Sequence, residues 1–333
     1  MDITFCTLSD DLYFLGTVAL INSLRLTNHT GRVVILDVGL RPSQRARLGA
    51  HATVIPVPKK EKLHPTQYKA FVHRLRLSGI IALIDSDMII TDSLVDIFKL
   101  AEHGRIGVFP DPRADRWFAE WEPLFDLRAP PRRQTYVNAG FVCFAVDHWP
   151  TLLERFWRAC QRVDPREAFG RPDSPFWAGD QDALNAILMS EVPGEALALQ
   201  AAGLEAYPDQ LGLADTKVID APSLRCLLHD RSPLLLHYSL APKAWERRAW
   251  LRVRADAYVR LLRRLLVAQD VSISLSREEV PVWLRPGARG WLALRSLDVM
   301  HGSGAWVRRR LPRGLDSRVG RIKDEWVSRT NEL

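Results

Sequence analysis

The first half of the chain alternates short runs of β-branched residues with segments of helical periodicity, and this alternation limits the possible folds more than any other feature. The predicted strands lie at 3–7, 32–38, 52–57 and 80–85, and the predicted helices at 12–27, 43–49 and 66–77. Strands and helices in alternation predict a mostly parallel sheet with helices on both faces. Ligands of such sheets bind at the carboxyl ends of the strands.

The second half continues this pattern and then changes. Further strands are predicted at 105–109, 139–146 and 233–239, and further helices at 149–163, 180–192 and 245–267. Beyond about residue 270 the pattern indicates helix rather than sheet. We therefore expect an α/β domain over residues 1–268 and a basic helical extension over residues 269–333.

Composition places the chain among globular proteins. The 333 residues are 47% hydrophobic and 26% charged, which is typical of a folded domain with a large core. The four cysteines are widely spaced and form no CxxC pair, so neither a zinc site nor a disulfide framework is indicated, and a reducing cytoplasm is expected. The sequence has no signal-peptide pattern and no apolar run long enough to span a membrane, so we expect neither export by that route nor a membrane span.

The stretch IIALIDSDMII, residues 80–90, places two carboxylates directly after an apolar strand. Burying them unpaired would cost several kcal/mol, whereas a position at the strand end places them in a crevice. Side chains alternate along a strand, so Asp85 and Asp87 should point the same way and share one hard cation that also binds phosphate. The simplest alternative is a solvated turn. A dehalogenase-type phosphatase is a lesser one, because Asp92 is not followed by the further motifs of that class.

Four further segments extend this signal. They are SDDLYFLGTVALINSL (9–24), YVNAGFVCF (136–144), GDQDALNAIL (179–188) and HYSLAPKAW (237–245). Together with DSD they resemble the retaining glycosyltransferases of family 8, a group with the GT-A nucleotide-diphospho-sugar transferase fold that includes bacterial lipooligosaccharide galactosyltransferases and glycogenin. The resemblance runs through about the first 245 residues.

The resemblance implies a metal site and a diphosphate site. Asp85, Asp87 and His237 would bind Mn²⁺ or Mg²⁺, and the imidazole suits Mn²⁺ in particular. Lys243 would direct its ammonium group at the diphosphate of a UDP-sugar. The alternatives are a core histidine for His237 and a solvated lysine for Lys243.

The resemblance also implies which residues bind the uridine. Asp10 would accept a hydrogen bond from the uracil imide, with Asp11 as the competing candidate, and Tyr13 would lie against the base. Ser86, between the two aspartates, belongs to the same nucleotide-binding group. An aspartate ahead of a helix is also a common N-cap, so Asp10 or Asp11 can serve that purpose as well.

The transferred sugar would be surrounded by Asn138, Asp180 and Gln181, whose donors and acceptors match sugar hydroxyls. Asp180 also stands where a helix N-cap belongs. Lys69 is a weaker candidate for a second phosphate contact, and Arg74 competes with it for that assignment.

The function implied is transfer of a hexose from a UDP-sugar to an acceptor hydroxyl, with retention of configuration. Two positions depart from the family pattern HxxGxxKPW, because Leu240 replaces the glycine and Ala244 replaces the proline. These departures leave open an alternative function, a degenerate protein that binds a sugar nucleotide or acts as a scaffold without turnover.

The acceptor is the least determined part of the prediction; it can be a glycan, a lipid-linked glycan or a small molecule. Residues 111–134, which contain Trp117 and Trp121 among arginines, form either an acceptor lip or a surface loop with half-buried aromatics. The net charge of +7 is concentrated after residue 300, where Leu311, Leu315, Val319, Ile322 and Trp326 recur among arginines. This segment is either an interfacial helix on an anionic membrane or a helix packed on the domain. Nucleic-acid binding is disfavoured, because no motif that reads RNA or DNA accompanies the charge.

Overall fold

The architecture is described from a computed structural model of the chain. The described residues are 1–58, 63–111, 115–168, 170–200, 205–206, 211–239, 241–249, 253–290 and five positions between 292 and 299.

Within the described residues, twelve strands form three sheets. They are β1 (Ile3–Ser9), β2 (Arg32–Asp37), β3 (Thr53–Pro56), β4 (Ile80–Ile84), β5 (Met88–Ile90), β6 (Ile106–Pro110), β7 (Val137–Ala145), β8 (Leu197–Leu199), β9 (Glu205–Ala206), β10 (Lys217–Asp220), β11 (Arg225–Leu227) and β12 (Leu235–His237). The central sheet has seven strands in the order β3-β2-β1-β4-β7-β6-β8.

The central sheet is mostly parallel, as the alternation predicts. β1 pairs in parallel with β2 and β4, β2 with β3, and β6 with β8. β7 is the exception, because it runs antiparallel to both β4 and β6. This reversal brings the start of β7 beside the carboxyl end of β4.

Two small sheets complete the strand structure. β5, β12 and β9 form a three-stranded sheet, and β10 pairs with β11 in a hairpin. The sequence reading missed β5 because its three residues look like a continuation of the apolar stretch around the aspartates. The chain therefore passes from the central sheet to the second sheet between Ile84 and Met88.

In the part of the chain that the structure describes, the α-helices with assigned bounds and several 3₁₀ segments pack around the sheets. The α-helices are α1 (Phe14–Leu26), α2 (Pro42–Gly49), α3 (Val95–Glu102), α4 (Trp121–Phe125), α5 (Leu152–Cys160), α6 (Asp180–Glu191), α7 (Leu211–Asp215) and α8 (Ala257–Val267). α1, α3 and α8 contribute to one hydrophobic cluster, and α5 and α6 contribute to a second. The two clusters give the mixed α/β layering that the periodicity predicts.

Two predicted helices differ in the structure. The segment predicted at 66–77 is a 3₁₀ helix over Pro65–Leu75. Among the described residues of the segment predicted at 245–267, the α-helix is α8, and Asp256 starts it by accepting a hydrogen bond from Val259 N–H at 3.0 Å.

The first part of the C-terminal extension packs on the sheet domain. Asn22, buried in α1, donates to the carbonyl oxygens of Leu265 and Ile273 and accepts from Ile273 N–H. Trp283 donates its indole N–H to Ala244 O at 2.9 Å. The basic segment after residue 300 lies outside the described residues, and so do the apolar residues that recur in it, Leu311, Leu315, Val319, Ile322 and Trp326. Within the described part of the chain no helix combines the length and apolar character needed to cross a bilayer.

Candidate functional site

The two aspartates of the DSD motif lie in a tight turn between β4 and β5. Met88 N–H donates to Asp85 O at 3.1 Å and closes the turn, and Asp85 N–H donates to Gly140 O on β7 at 2.8 Å. The aspartates were expected to converge by strand alternation, but it is this turn that brings them together. Ser86 is buried at its centre.

His237 reaches the same place through the second sheet. β12 pairs antiparallel with β5, so that His237 lies opposite Met88, and Tyr238 N–H donates to Asp87 O at 3.1 Å. One ligand atom each from Asp85, Asp87 and His237 lie within 4.8 Å of one another. The convergence that the sequence requires is therefore present, and we call these three residues the candidate metal site.

The donor set of the candidate metal site fits a divalent cation. Asp87 Oδ1 is buried, and the group that faces it is the imidazole of His237, whose Nε2 lies 3.3 Å away. A buried carboxylate oxygen facing an imidazole nitrogen is costly without a proton or cation between them. Two carboxylates and one imidazole are suitable ligands for Mn²⁺.

Lys243 forms an ion pair with the other oxygen of Asp87. Its ammonium lies 2.6 Å from Asp87 Oδ2 and donates to Tyr238 O at 3.0 Å. Burial acts to raise the pKa of Asp87, but the nearby Lys243 and His237 outweigh it and the pKa is lowered. Lys243 was expected to contact a diphosphate, whereas in the structure its charge is directed at a ligand of the candidate metal site.

Lys69 is placed differently from its predicted phosphate contact. Its ammonium lies 2.6 Å from Asp85 Oδ1 and 3.2 Å from Asp180 Oδ2, and it donates to Ala139 O at 2.9 Å. An ammonium group has three donors, and these three acceptors use all of them. Lys69 therefore ties Asp85 to Asp180, and Arg74, the competing candidate, is exposed on the same 3₁₀ helix.

Burial and charge act in opposite directions on the Lys69 and Asp85 pair. Burial lowers the pKa of Lys69, but Asp85 and Asp180 outweigh it and the pKa is raised. For Asp85, burial raises the pKa, Asp87 adds to that effect, and Lys69 opposes it. The site is a closely coupled set of charges rather than a group of free carboxylates.

The structure distinguishes the two aspartates proposed for the uracil contact. Asp11 is engaged at both oxygens, by Arg41 at 2.6 Å and by Gln44 at 2.8 Å. Asp10 accepts from Tyr13 N–H at 2.9 Å through Oδ1. Asp10 thus orders the turn ahead of α1, and it is the better candidate of the two for a ligand contact.

Trp245 connects this turn to the segment that carries Lys243. Its indole N–H donates to Leu12 O at 2.7 Å, and its ring meets Tyr13 edge to face with centroids 6.1 Å apart. Lys243 Nζ lies 5.6 Å from the centre of the Tyr13 ring. The predicted base-binding and diphosphate-binding residues are therefore neighbours.

The residues predicted to bind the sugar lie at the start of β7 and of α6. Gln181 accepts from Ala139 N–H at 3.0 Å and donates to Asp111 Oδ2 at 3.0 Å. Asn138 accepts from Gly140 N–H at 2.8 Å and donates to the same Asp111 oxygen at 3.4 Å. Asp111, which the sequence analysis missed, thus orients both amides.

The sequence analysis also missed a buried cluster of Asp182, Arg116 and Tyr136, which holds α6 in place. Asp182 is fully buried and accepts from Arg116 at 2.6 and 2.7 Å, from the Tyr136 hydroxyl at 2.8 Å and from Ala178 N–H at 2.7 Å. Arg116 also donates to two carbonyl oxygens of the 170–179 loop. The second aspartate of DQD is therefore structural, and it fixes the helix that presents Asp180 and Gln181.

The proposed acceptor lip is partly buried. Trp121 is fully buried, donates to Pro175 O at 2.8 Å and stacks with Tyr136. Trp121 therefore fits neither the acceptor lip, since its ring cannot receive a sugar there, nor a surface loop with half-buried aromatics, since it begins α4 and is fully buried. Trp117 is half-buried, donates to Pro131 O, and carries Arg133 over its ring at 4.3 Å.

The departures at Leu240 and Ala244 have different outcomes. Leu240 lies outside the described residues. Ala244 is fully buried and its carbonyl oxygen accepts from Trp283. Ala244 is therefore part of the packed wall behind Lys243.

No family model matches the sequence, and no curated protein matches it. Among solved structures, the galactosyltransferase LgtC in complex with donor and acceptor sugar analogues is 17% identical with a TM-score of 0.54, covering 84% of this chain and 98% of LgtC. An active-site mutant of LgtC matches with 16% identity, the same TM-score and the same coverage.

A third solved structure, the bifunctional glycosyltransferase WbbM in its apo form, is 16% identical with a TM-score of 0.52. The match covers 81% of this chain and 50% of WbbM. At these identities the comparisons establish the fold, and the chain has the α/β architecture of GT-A glycosyltransferases.

Proposed function

We propose that the protein is a glycosyltransferase that transfers a hexose from a UDP-sugar to an acceptor hydroxyl, with retention of configuration and with dependence on Mn²⁺ or Mg²⁺. The observation that carries the proposal is the convergence of Asp85, Asp87 and His237 at the end of β4 in a GT-A fold. A glycan, a lipid-linked glycan or a small hydroxylated molecule is the proposed acceptor class.

The charges of the site suit departure of a diphosphate. Breaking the bond between sugar and diphosphate places negative charge on the leaving oxygen. A divalent ion held by Asp85, Asp87 and His237 supplies Lewis-acid stabilisation of that charge when bound. Lys243 supplies a further positive charge on the same side, next to Asp87.

Uridine recognition is assigned to the turn before α1. Asp10 would accept from the uracil imide, since Asp11 is already held by Arg41 and Gln44. Tyr13 would support the base, and its ring is held in place by Trp245. Ser86, buried between the two aspartates of the DSD motif, would contribute to the nucleotide pocket.

The sugar is assigned to Asn138, Asp180 and Gln181. Asp180 pairs with Lys69 at 3.2 Å, which lowers its reactivity as a nucleophile, and the Gln181 amide is a poor nucleophile. We therefore favour front-face attack, in which the acceptor oxygen bonds to the anomeric carbon, the bond to the diphosphate breaks, and the acceptor proton passes to a diphosphate oxygen. Asp180→Asn should lose activity without forming any glycosyl-enzyme adduct; a trapped adduct on Asp180 in the wild type would contradict this route.

UDP release from UDP-glucose or UDP-galactose tests the proposal. We expect release with Mn²⁺, loss of release with a chelator, and loss in Asp87→Ala. Asp96→Ala is the matched control, because Asp96 is exposed and forms an ion pair with the surface residue Lys99. Release that persists in Asp87→Ala, or that ignores the chelator, would exclude the proposed site.

A second candidate is a protein that binds a sugar nucleotide without turnover. The specific observation that favours it is that both DSD aspartates already have lysine partners at 2.6 Å. It predicts saturable UDP binding with no UDP release from either sugar nucleotide at any Mn²⁺ concentration. A cytoplasmic location, with peripheral contact between the basic segment after residue 300 and an anionic membrane, belongs to the leading proposal.

A further inference from the structure

Each carboxylate of the DSD motif has a buried lysine of its own. Lys69 lies 2.6 Å from Asp85 Oδ1, and Lys243 lies 2.6 Å from Asp87 Oδ2. The side chains of both lysines are 6% and 7% exposed, so solvent screens these pairs only weakly. The protein itself therefore neutralises most of the charge that would attract a metal ion.

The formal charges of the site show the consequence. Asp85, Asp87 and Asp180 are opposed by Lys69 and Lys243, which leaves one net negative charge among these groups. A divalent ion alone would make the site positive, and the doubly charged diphosphate of a nucleotide-sugar alone would make it more negative. The two together leave the net charge unchanged.

The two lysines differ in how easily their ammonium groups can leave the aspartates for a bound diphosphate. Lys69 is held by two carboxylates and the Ala139 carbonyl oxygen. Lys243 is held by Asp87 and the Tyr238 carbonyl oxygen, and it lies beside the Tyr13 ring on the nucleotide side. A lysine ammonium sits on a flexible stem, so Lys243 can pass from Asp87 to a diphosphate.

We propose that Lys243 keeps the affinity of Asp87 for a divalent metal low until a nucleotide diphosphate draws the ammonium away, so that metal and nucleotide bind together and neither binds tightly alone. The inference rests on the proposed function, since it assigns a control to the same metal and diphosphate sites. It makes Lys243 the residue that couples them, in addition to a diphosphate contact.

A different effect of Lys243 would give the opposite result. A hydrogen-bonded partner of a metal-binding carboxylate commonly orients it and strengthens metal binding, and losing the partner then weakens binding 10–100-fold. Here the partner carries a full positive charge, is desolvated, and is in direct contact with Asp87. Repulsion between that charge and a divalent ion therefore dominates over orientation.

Binding of Mn²⁺ in the absence of nucleotide tests the proposal, with the signal of free Mn²⁺ in electron paramagnetic resonance as the readout. Lys243→Met should bind Mn²⁺ at least about tenfold more tightly than the wild type, equivalent to about 1.4 kcal/mol. Lys243→Gln is a second neutral variant, and thermal unfolding verifies that each is folded. Lys243→Arg keeps the charge and should bind Mn²⁺ as the wild type does. The surface control Lys99→Met should also bind Mn²⁺ as the wild type does, because the Lys99 side chain is 60% exposed.

The same titration with saturating UDP measures the coupling. The coupling is the ratio of the Mn²⁺ affinity with UDP to the Mn²⁺ affinity without it. This ratio should be at least about tenfold larger in the wild type than in Lys243→Met. Weaker or unchanged Mn²⁺ binding in both neutral variants, including no detectable binding in any protein, would overturn the proposal. Neither readout requires turnover, so the inference can fail while UDP release is intact, and it can hold while UDP release is absent.

Discussion

Gly140 on β7 lies against the candidate metal site and leaves no room there for a side chain. Replacing it with alanine therefore tests whether the placement of Asp85 and Asn138 matters for activity. A Cβ atom there would lie 2.5 Å from Met88 Cε, 2.8 Å from Asn138 Oδ1 and 3.0 Å from Asp85 Oδ2. The Met88 methyl group is the end of a flexible side chain and can move. Asn138 Oδ1 accepts a hydrogen bond from Gly140 N–H, and the Asp85 carboxylate is held by Lys69 through its other oxygen, Oδ1.

The magnitude follows from these distances. Against an ordinary contact limit of 3.4 Å, the new Cβ is about 0.6 Å too close to Asn138 Oδ1 and about 0.4 Å too close to Asp85 Oδ2. Overpacking of this kind typically costs about 1–3 kcal/mol of stability. Displacement of a metal-binding and a sugar-binding group by several tenths of an ångström should cost roughly 10–100-fold in kcat/KM, since a misplacement of about 1 Å costs about 100-fold.

Gly107→Ala on β6 is the matched control. Its Cβ would lie 2.3 Å from Ile97 Cγ2 in the hydrophobic core, with no site residue among its nearest atoms. Urea denaturation should show similar losses of stability for both variants, whereas Mn²⁺-dependent UDP release should fall only in Gly140→Ala. Equal activity in the two variants would refute the argument that Gly140 is required by the site rather than by the sheet.

Two further predictions concern buried charges away from the metal site. Arg116→Met leaves Asp182 buried without its cation, so the free energy of unfolding in urea should fall by about 3–5 kcal/mol, and Arg116→Met/Asp182→Asn should recover part of that loss; a loss below about 1 kcal/mol would show that the pair is not needed. Burial raises the pKa of Asp256 to about 7 against a partial lowering by Val259 N–H. The folded-state pKa of Asp256 lies above its unfolded value of about 3.9, so the folded state binds the proton more tightly. The contribution of Asp256 to stability is therefore complete below about pH 4 and is lost as the pH rises to about 7. Asp256→Asn keeps an N-cap residue, and its free energy of unfolding should change less between pH 4 and pH 7 than that of the wild type, with a difference of at most about 4 kcal/mol. Parallel pH profiles of the free energy of unfolding would contradict the raised pKa of Asp256.

Local sequence predicted the elements whose burial is complete. β4 is a continuous apolar run, and β1 and β7 are apolar runs interrupted by a few small polar residues; the structure buries nearly all residues of the three strands. Such runs have few alternatives to a central strand, so the pattern alone is sufficient. β5 shows the limit, because its partner β12 lies more than 140 residues away and no local pattern reports that pairing.

The sequence predicted which residues form the candidate metal site, but it did not predict the ion pairs that these residues make. The motifs indicated Asp85, Asp87 and His237, and the structure brings them together. They did not indicate that Lys69 and Lys243 would pair with the aspartates, since ion-pair choice depends on which side chains the fold brings within a few ångströms. A signal for Gly140 was present, because a glycine inside a buried strand often marks a close approach of another group.

Arg116 and Asp111 had weaker signals. Arg116 lies among aromatic residues in the segment first considered as an acceptor lip, and an arginine in such a setting is often buried with a carboxylate partner. Asp111 follows directly after β6, the strand-end position at which polar residues tend to be functional. Both are recognisable after the structure is known because their partners lie on α6, some 70 residues away.

The turn at residues 85–87 joins a strand of the central sheet to a strand of the second sheet, and this connection restricts how such a protein can diversify. A link of this length reaches only about 10–14 Å, so an inserted or deleted residue would shift β5 against β12 and separate Asp87 from His237. Changes of chain length that alter which acceptor is used must therefore be accommodated elsewhere, in surface connections such as 126–130 and 164–168. Variation among descendants of this chain should concentrate there, while the spacing between the two sheets stays constant.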